Sequence, residues 1–112
     1  HATGDLVLTV FANIVRTSLR DDDVIGRLGG EEFGVLLPYC TKTDGRNIAE
    51  RIRKMVAATA ITIPNGGDLS ATVSIGISSS EGSLSDLNLL LSRADAALYS
   101  AKRAGRNRVE EC

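Results

Sequence analysis

Two runs of strand-forming residues, Val24 to Leu28 and Glu31 to Leu37, are separated only by Gly29-Gly30. So short a connection predicts an antiparallel hairpin, because only a tight turn reverses the chain in that space. Glycine suits such a turn: it takes positive φ angles and lets a phosphate approach the backbone with no Cβ in the way. Two carboxylates, Glu31 and Glu32, follow at once. As neighbours on a strand they point to opposite faces, so only one meets a given metal ion at close range. Taken alone, the same residues also describe an ordinary two-glycine hairpin with exposed glutamates.

Helical periodicity brackets the hairpin. Leu6, Val7, Val10, Phe11, Ile14, Val15 and Leu19 predict an amphipathic helix over about residues 5–20, ended by Asp21-Asp22-Asp23. Thr41 with Asp44 three residues on resembles a capping box, opening a second helix that buries Ile48, Ile52, Met55 and Val56. Residues 61–63, a turn over 64–68 and the run 71–77 predict a second hairpin. Ser83 or Ser85 is placed to cap a third helix, with a core stripe of Leu87, Leu90, Leu91, Ala94, Leu98 and Ala101 running up to Gly105. Arg108 and Val109 begin a short final strand. Helix, hairpin, helix, hairpin, helix is an α+β pattern, with helices packed on a mostly antiparallel sheet.

Size and charge narrow the function classes. At 112 residues the chain suits one domain, 1–112, and its 43% hydrophobic and 24% charged residues are those of a folded soluble chain. Thirteen Lys and Arg against fourteen Asp and Glu leave a net charge of -1, so no basic field exists to capture a nucleic acid polymer or an anionic membrane. Phosphate binding, if any, is local. No run approaches the roughly 18 apolar residues of a membrane helix, and no signal peptide opens the chain, which reads as cytoplasmic. Cys40 and Cys112 lack metal-site spacing and read as reduced thiols without chemistry.

Five ordered stretches carry a resemblance. Gly29-Gly30-Glu31-Glu32-Phe33 reads GGEEF and resembles the signature of the GGDEF family, with Glu at its third position. His1-Ala2-Thr3-Gly4-Asp5 is similar to the family's GHxxGD, and Arg20-Asp21-Asp22-Asp23 to its RxxD. Thr72-Val73-Ser74-Ile75-Gly76 resembles TxSIG, and the stretch from Arg93 to Asn107 resembles RADxALYxAKxxGRN. One such motif is weak evidence; five in order cover nearly the whole chain. The resemblance implies the C-terminal two-thirds of a GGDEF domain, with a ferredoxin-like fold similar to nucleotidyl cyclases and polymerase palms, truncated at the N-terminus. The family's opening strand and helix, with DxDxFKxxND, precede the point where this sequence starts. They are expected in the intact protein, and the 112-residue piece alone is expected to be inactive without the second metal-binding aspartate.

As a diguanylate cyclase, such a domain condenses two GTP molecules into cyclic dimeric GMP with Mg²⁺ or Mn²⁺. By match to the motifs, Glu31 is the metal ligand and, with Glu32, catalytic. Asp5 contacts guanine, Gly29 and Gly30 lie against the phosphates, and Lys102 and Arg106 grip the triphosphate. Arg20, Asp23 and Arg51 form an inhibitory product site. The implied partners are GTP, cyclic dimeric GMP, a second copy of the domain and an attached sensor, with any membrane anchor in other segments. Bland readings stand beside these: Asp5 as a helix N-cap, Lys102 and Arg106 as helix-end charges, and Arg20 with Asp23 as a turn ion pair. Arg27, Arg46 and Lys54 read as surface, and His1 as a terminal residue. A non-catalytic module that binds cyclic dimeric GMP or a protein partner is the alternative to the enzyme; a cyclase for another nucleotide is less favoured while Asp5 is acidic.

Overall fold

The computed structural model describes residues 2–64, 66–80 and 87–112. Its elements are α1 (Ala2–Ser18), β1 (Val24–Gly29), β2 (Glu32–Leu36), α2 (Lys42–Ala58), β3 (Ile61–Ile63), β4 (Gly67–Leu69), β5 (Ile75–Ile77), α3 (Leu87–Arg103) and β6 (Val109–Glu111). The order of helices and hairpins follows the hydrophobic pattern. None of the helices is long and apolar enough to cross a membrane, among the described residues.

The core forms where α1 and α2 cross. Val15, Ile52 and Val56 are its buried centre, and Phe11, Ile14, Leu19, Ile25, Ile48, Val73 and Ile75 close around them. Thr41 caps α2 as expected, its hydroxyl accepting from the Asp44 amide at 3.1 Å. Met55 departs from the expected stripe: it is exposed, and Ala49 takes a buried place beside Ile52. Successive helix positions are 100° apart, so Met55 stands one step off the centre marked by Ile52 and Val56.

The second hairpin pairs differently from expectation. β3 is joined antiparallel to β4, with Ile61 opposite Leu69 and Ile63 opposite Gly67. The Gly66 amide donates to the Ile63 carbonyl at 3.1 Å, and Gly67 opens β4 at a φ of +78° that suits glycine. The run 71–77 is thereby released, and its β5 portion pairs parallel to β6, Ile75 opposite Val109. The strands form three two-stranded ladders among the described residues, two antiparallel and one parallel.

The inner face of α3 keeps much of the expected stripe, with Leu90, Ala94 and Leu98 half-buried and Ala101 buried, and departs from it at two leucines of its N-terminal half. Ala97 and Ala101 are buried, whereas Leu87 and Leu91 are exposed. At Gly76 a Cβ would fall 2.9 Å from the Leu98 Cα and closer still to the Ala94 carbonyl oxygen and the Leu98 amide. Strand and helix backbones therefore touch there, and position 76 has no room for a side chain. Ser83 and Ser85, proposed as helix caps, lie outside the described residues.

Candidate functional site

The GGEEF turn is one residue later than its glycines suggest. Gly29 pairs with Glu32 and Arg27 with Phe33, the register slipping between them so that Leu28 has no partner across the ladder. Gly30 and Glu31 are then the two connecting residues. Gly29 at φ +154° and Gly30 at φ +50° hold conformations that side-chain-bearing residues rarely adopt. Glu31 therefore sits in the turn rather than on a strand, while Glu32 begins β2. Both are exposed, and neither side chain has a hydrogen bond or ion pair among the described residues. Arg27, read as surface, is exposed but engaged: its Nε and Nη2 both donate to the Gly30 carbonyl, at 3.0 and 2.7 Å. A rigid guanidinium thus ties the turn to the end of β1.

A cleft of about 490 Å³ opens between α1 and the hairpin. Asp5, Thr9, Asn13 and Arg16, at helical spacing along α1, face Ile25, Arg27 and Phe33 across it. The rings of Phe11 and Phe33, 5.2 Å apart at centroid, hold the two walls together. α1 begins at Ala2, three residues before the expected start, so Asp5 lies in its first turn and is not its N-cap. Its backbone carbonyl accepts from the Thr9 hydroxyl at 2.9 Å, and its exposed carboxylate has no partner among the described residues. Nowhere among them do three or more His, Cys, Asp or Glu side chains come together as a metal cluster. Asp5 and Arg27 share the cleft; Gly29, Gly30, Glu31 and Glu32 stand at the hairpin tip beyond its lining.

Lys102 and Arg106 are exposed at the far end of α3, and no described contact links them to the cleft. The chain there runs left-handed through three residues, with Gly105, Arg106 and Asn107 at φ +124°, +61° and +46°. For Arg106 this conformation costs about 1 to 2 kcal/mol. Hydrogen bonds sustain it. The Arg106 amide donates to Ala101 O at 2.9 Å, wrapping the helix end, and the Asn107 amide donates to the Ser74 hydroxyl at 3.2 Å. Arg53 of α2 adds a side-chain tie, Nη1 to Asn107 Oδ1 at 3.1 Å, while its Nε and Nη2 grip both oxygens of Glu50 at 3.1 Å. The Arg53 hydrogen bonds hold the Glu50 carboxyl below its ordinary value. Sequence reasoning passed over Arg53, although its spacing from Glu50 is that of a helical ion pair.

The third group gathers at the C-terminal end of α1. Arg20 donates from Nη2 to Asp23 Oδ1 at 2.8 Å and from Nε to Oδ2 at 3.1 Å, and its amide reaches Oδ2 at 2.7 Å. Nη2 also meets the Pro38 carbonyl at 2.8 Å. The turn ion pair is therefore formed, with the Asp23 side chain enclosed and that of Arg20 47% exposed. Arg51 donates to the Ser18 carbonyl at 3.2 Å, bringing a second guanidinium to the same helix end. Hydrogen bonds from Arg20 hold the Asp23 carboxyl below its ordinary value. A depressed acid stabilises fully above its unfolded pKa, near 3.9, and loses that contribution as pH falls through the lower folded value. At neutral pH the pair is intact. Arg46, read as surface, is exposed and pairs with Glu111 at 3.1 Å. Both cysteines are free, and burial pushes the Cys40 thiol up.

Comparison with known proteins bears on this arrangement. The family model described as "Diguanylate cyclase, GGDEF domain" matches residues 1–108. Diguanylate cyclase DgcP of Pseudomonas aeruginosa is 46% identical over 110 residues, 98% of this chain and 16% of that protein. Diguanylate cyclase A of Treponema denticola is 42% identical over 109 residues, 97% of this chain and 29% of that protein. The chain thus spans less than a third of either relative. Among solved structures, the coiled coil and GGDEF domain of DgcB from Caulobacter crescentus, in complex with c-di-GMP, superposes with a TM-score of 0.91 at 30% identity, covering 100% of this chain and 59% of that one. With the glycine turn, the acidic pair and the strand-helix contact at Gly76 in a fold that matches at this level, the chain belongs to the GGDEF domain family.

Proposed function

We propose that the domain containing this chain joins two GTP molecules into cyclic dimeric GMP, releasing two pyrophosphates. The observation that carries this reading is Glu31, a carboxylate without a partner among the described residues, held at the tip of a glycine turn whose hairpin walls the Asp5 cleft. In each half-reaction the 3′-hydroxyl of one GTP attacks the α-phosphorus of the other, in line with the departing pyrophosphate. The Glu31 carboxylate supplies hard oxygen donors of the kind Mg²⁺ or Mn²⁺ takes, one or two carboxylates alongside phosphate oxygens and water being the usual set. When bound, the ion supplies charge neutralisation to the triphosphate. Glu32 holds a supporting position at the start of β2, and Gly29 and Gly30 leave backbone free for phosphate to approach. Lys102 and Arg106 supply positive charge for the outer phosphates.

Asp5 selects the base. Its carboxylate accepts two hydrogen bonds from the N1-H and N2-H edge of guanine, an edge that adenine lacks. Asp5→Asn replaces one acceptor oxygen with a donor, and is expected to weaken GTP binding by about 1 to 3 kcal/mol. Titration of GTP into both proteins checks this; equal affinities would remove Asp5 from the base site. Each domain has one Glu31 and one such cleft, while the product has two equivalent halves, so catalysis calls for two copies facing each other. GTP as substrate places the domain in the cytoplasm, and the greater length of the relatives fits control by an attached sensor.

Product is expected to bind a second site at Arg20, Asp23 and Arg51. The exposed Arg20 guanidinium can pair with phosphate oxygen and stack on guanine, and Arg51 adds a second cation at the same helix end. Arg20→Ala is expected to keep the initial rate and to lose inhibition as product accumulates. Calorimetric titration of cyclic dimeric GMP decides it, since equal affinities for both proteins would leave Arg20 and Asp23 as a turn ion pair.

The enzyme reading itself is tested with the intact protein, GTP and Mg²⁺, following cyclic dimeric GMP and pyrophosphate by chromatography, with ATP in parallel. Product binding without turnover would instead favour a non-catalytic module.

A further inference from the structure

We propose that Arg53 is a positioning residue for Arg106: gripped by Glu50, it anchors Asn107 and so holds Arg106 in the left-handed conformation from which it meets the triphosphate. The inference rests on the proposed role of Arg106 as a phosphate contact. Left alone, a loop that begins with glycine and continues with an arginine in this conformation relaxes to negative φ. Asparagine tolerates the left-handed region and arginine does not, so the conformation of Arg106 depends on what restrains the residues around it. Its amide is tied to Ala101 on one side. On the other, Asn107 is held twice, by the Ser74 hydroxyl through its amide and by Arg53 through its side chain.

The tie from α2 is rigid. The Arg53 side chain is 19% exposed, and its guanidinium uses one edge for both Glu50 oxygens while Nη1 points to Asn107. A planar fork clamped on one side fixes the direction of its remaining donor. Lysine has a single ammonium and cannot hold the carboxylate in a fork while aiming a fixed donor at Asn107. The same Arg53 hydrogen bonds hold the Glu50 carboxyl below its ordinary value, in keeping with an ionised clamp. The arrangement has the form of a strained functional residue maintained by its neighbours.

The test uses the intact protein and two probes, a GTP analogue with a methylene group between its α and β phosphorus atoms, and guanosine, which lacks the triphosphate. Arg53→Lys is expected to weaken the analogue by about 10-fold, within the range for side chains sharing one network, and to leave guanosine affinity unchanged. Asn107→Gly keeps the left-handed backbone accessible but removes the acceptor, and is expected to give the same loss without altering α2. In an Arg106→Ala background neither change should add anything further. Unchanged analogue affinity in both variants, losses that add fully to that of Arg106→Ala, or a parallel loss of guanosine binding would each overturn the positioning role. Should Arg106→Ala alone leave the analogue affinity intact, the phosphate role of Arg106 fails and the positioning role with it, a result that this single variant distinguishes from failure of Arg53 alone.

Discussion

Replacing Glu31 with alanine is expected to abolish turnover, by about 1,000-fold or more, while leaving the fold unchanged. A thousandfold is about 4 kcal/mol of transition-state stabilisation, within what removal of a group acting on a transferring phosphate takes away. Stability should move by no more than about 0.5 kcal/mol, because Glu31 is exposed in the turn and no partner holds it among the described residues. Glu31→Gln makes the test sharper. It preserves volume but removes the charge and replaces one acceptor oxygen with a donor, so it should be nearly as inactive as the alanine variant. Glu31→Asp keeps the charge and matches the family signature, so it should retain substantial activity. Rates are read from pyrophosphate release across a Mg²⁺ titration, with thermal unfolding as the control for folding. Near-normal turnover of Glu31→Ala at unchanged metal dependence would end the proposed role.

Gly76→Ala is expected to be the most destabilising single-methyl addition among the glycines of the described residues. The added Cβ would fall 2.9 Å from the Leu98 Cα and nearer still to the Ala94 carbonyl and the Leu98 amide, all of them backbone atoms of α3. A flexible side chain can move aside for a methyl group; a helix backbone moves only with everything packed upon it. Overpacking of a core costs about 1 to 3 kcal/mol and occasionally more, and this contact belongs at the upper end. Three kcal/mol corresponds to a fall in Tm of roughly 10 to 20 °C for a domain of this size. Gly34→Ala is the internal comparison, since the Cβ there would meet only the Leu28 side chain, at 3.4 Å or more. Thermal unfolding of the two variants separates the cases. A Gly76→Ala protein melting within about 2 °C of the parent would show that β5 and α3 have room to part.

The first prediction draws on chemistry readable in the sequence, and the second on packing that was not. GGEEF, GHxxGD, RxxD and the final long motif identify their residues by type and order, and local pattern also marked the three helices and the first hairpin. Thr41 as a cap needed only its own spacing to Asp44. Two local readings missed by a short step: α1 starts before Asp5, and Glu31 belongs to the turn rather than to a strand. Turn registers follow hydrogen bonds between strands, which a list of glycines does not specify.

Residue type, spacing and hydrophobic period determined the α+β class, the hairpin that carries the acidic pair, and the identity of the candidate site residues, because these depend on interactions within a few positions along the chain. Tertiary structure alone decided that β5 pairs parallel to β6, that α3 buries Ala97 and leaves Leu87 and Leu91 exposed, and that Arg53 reaches Asn107 from a different helix. Each of these turns on a contact between segments far apart in sequence. Such contacts are selected by the shape and hydrogen-bonding capacity of the assembled fold, to which local periodicity is blind.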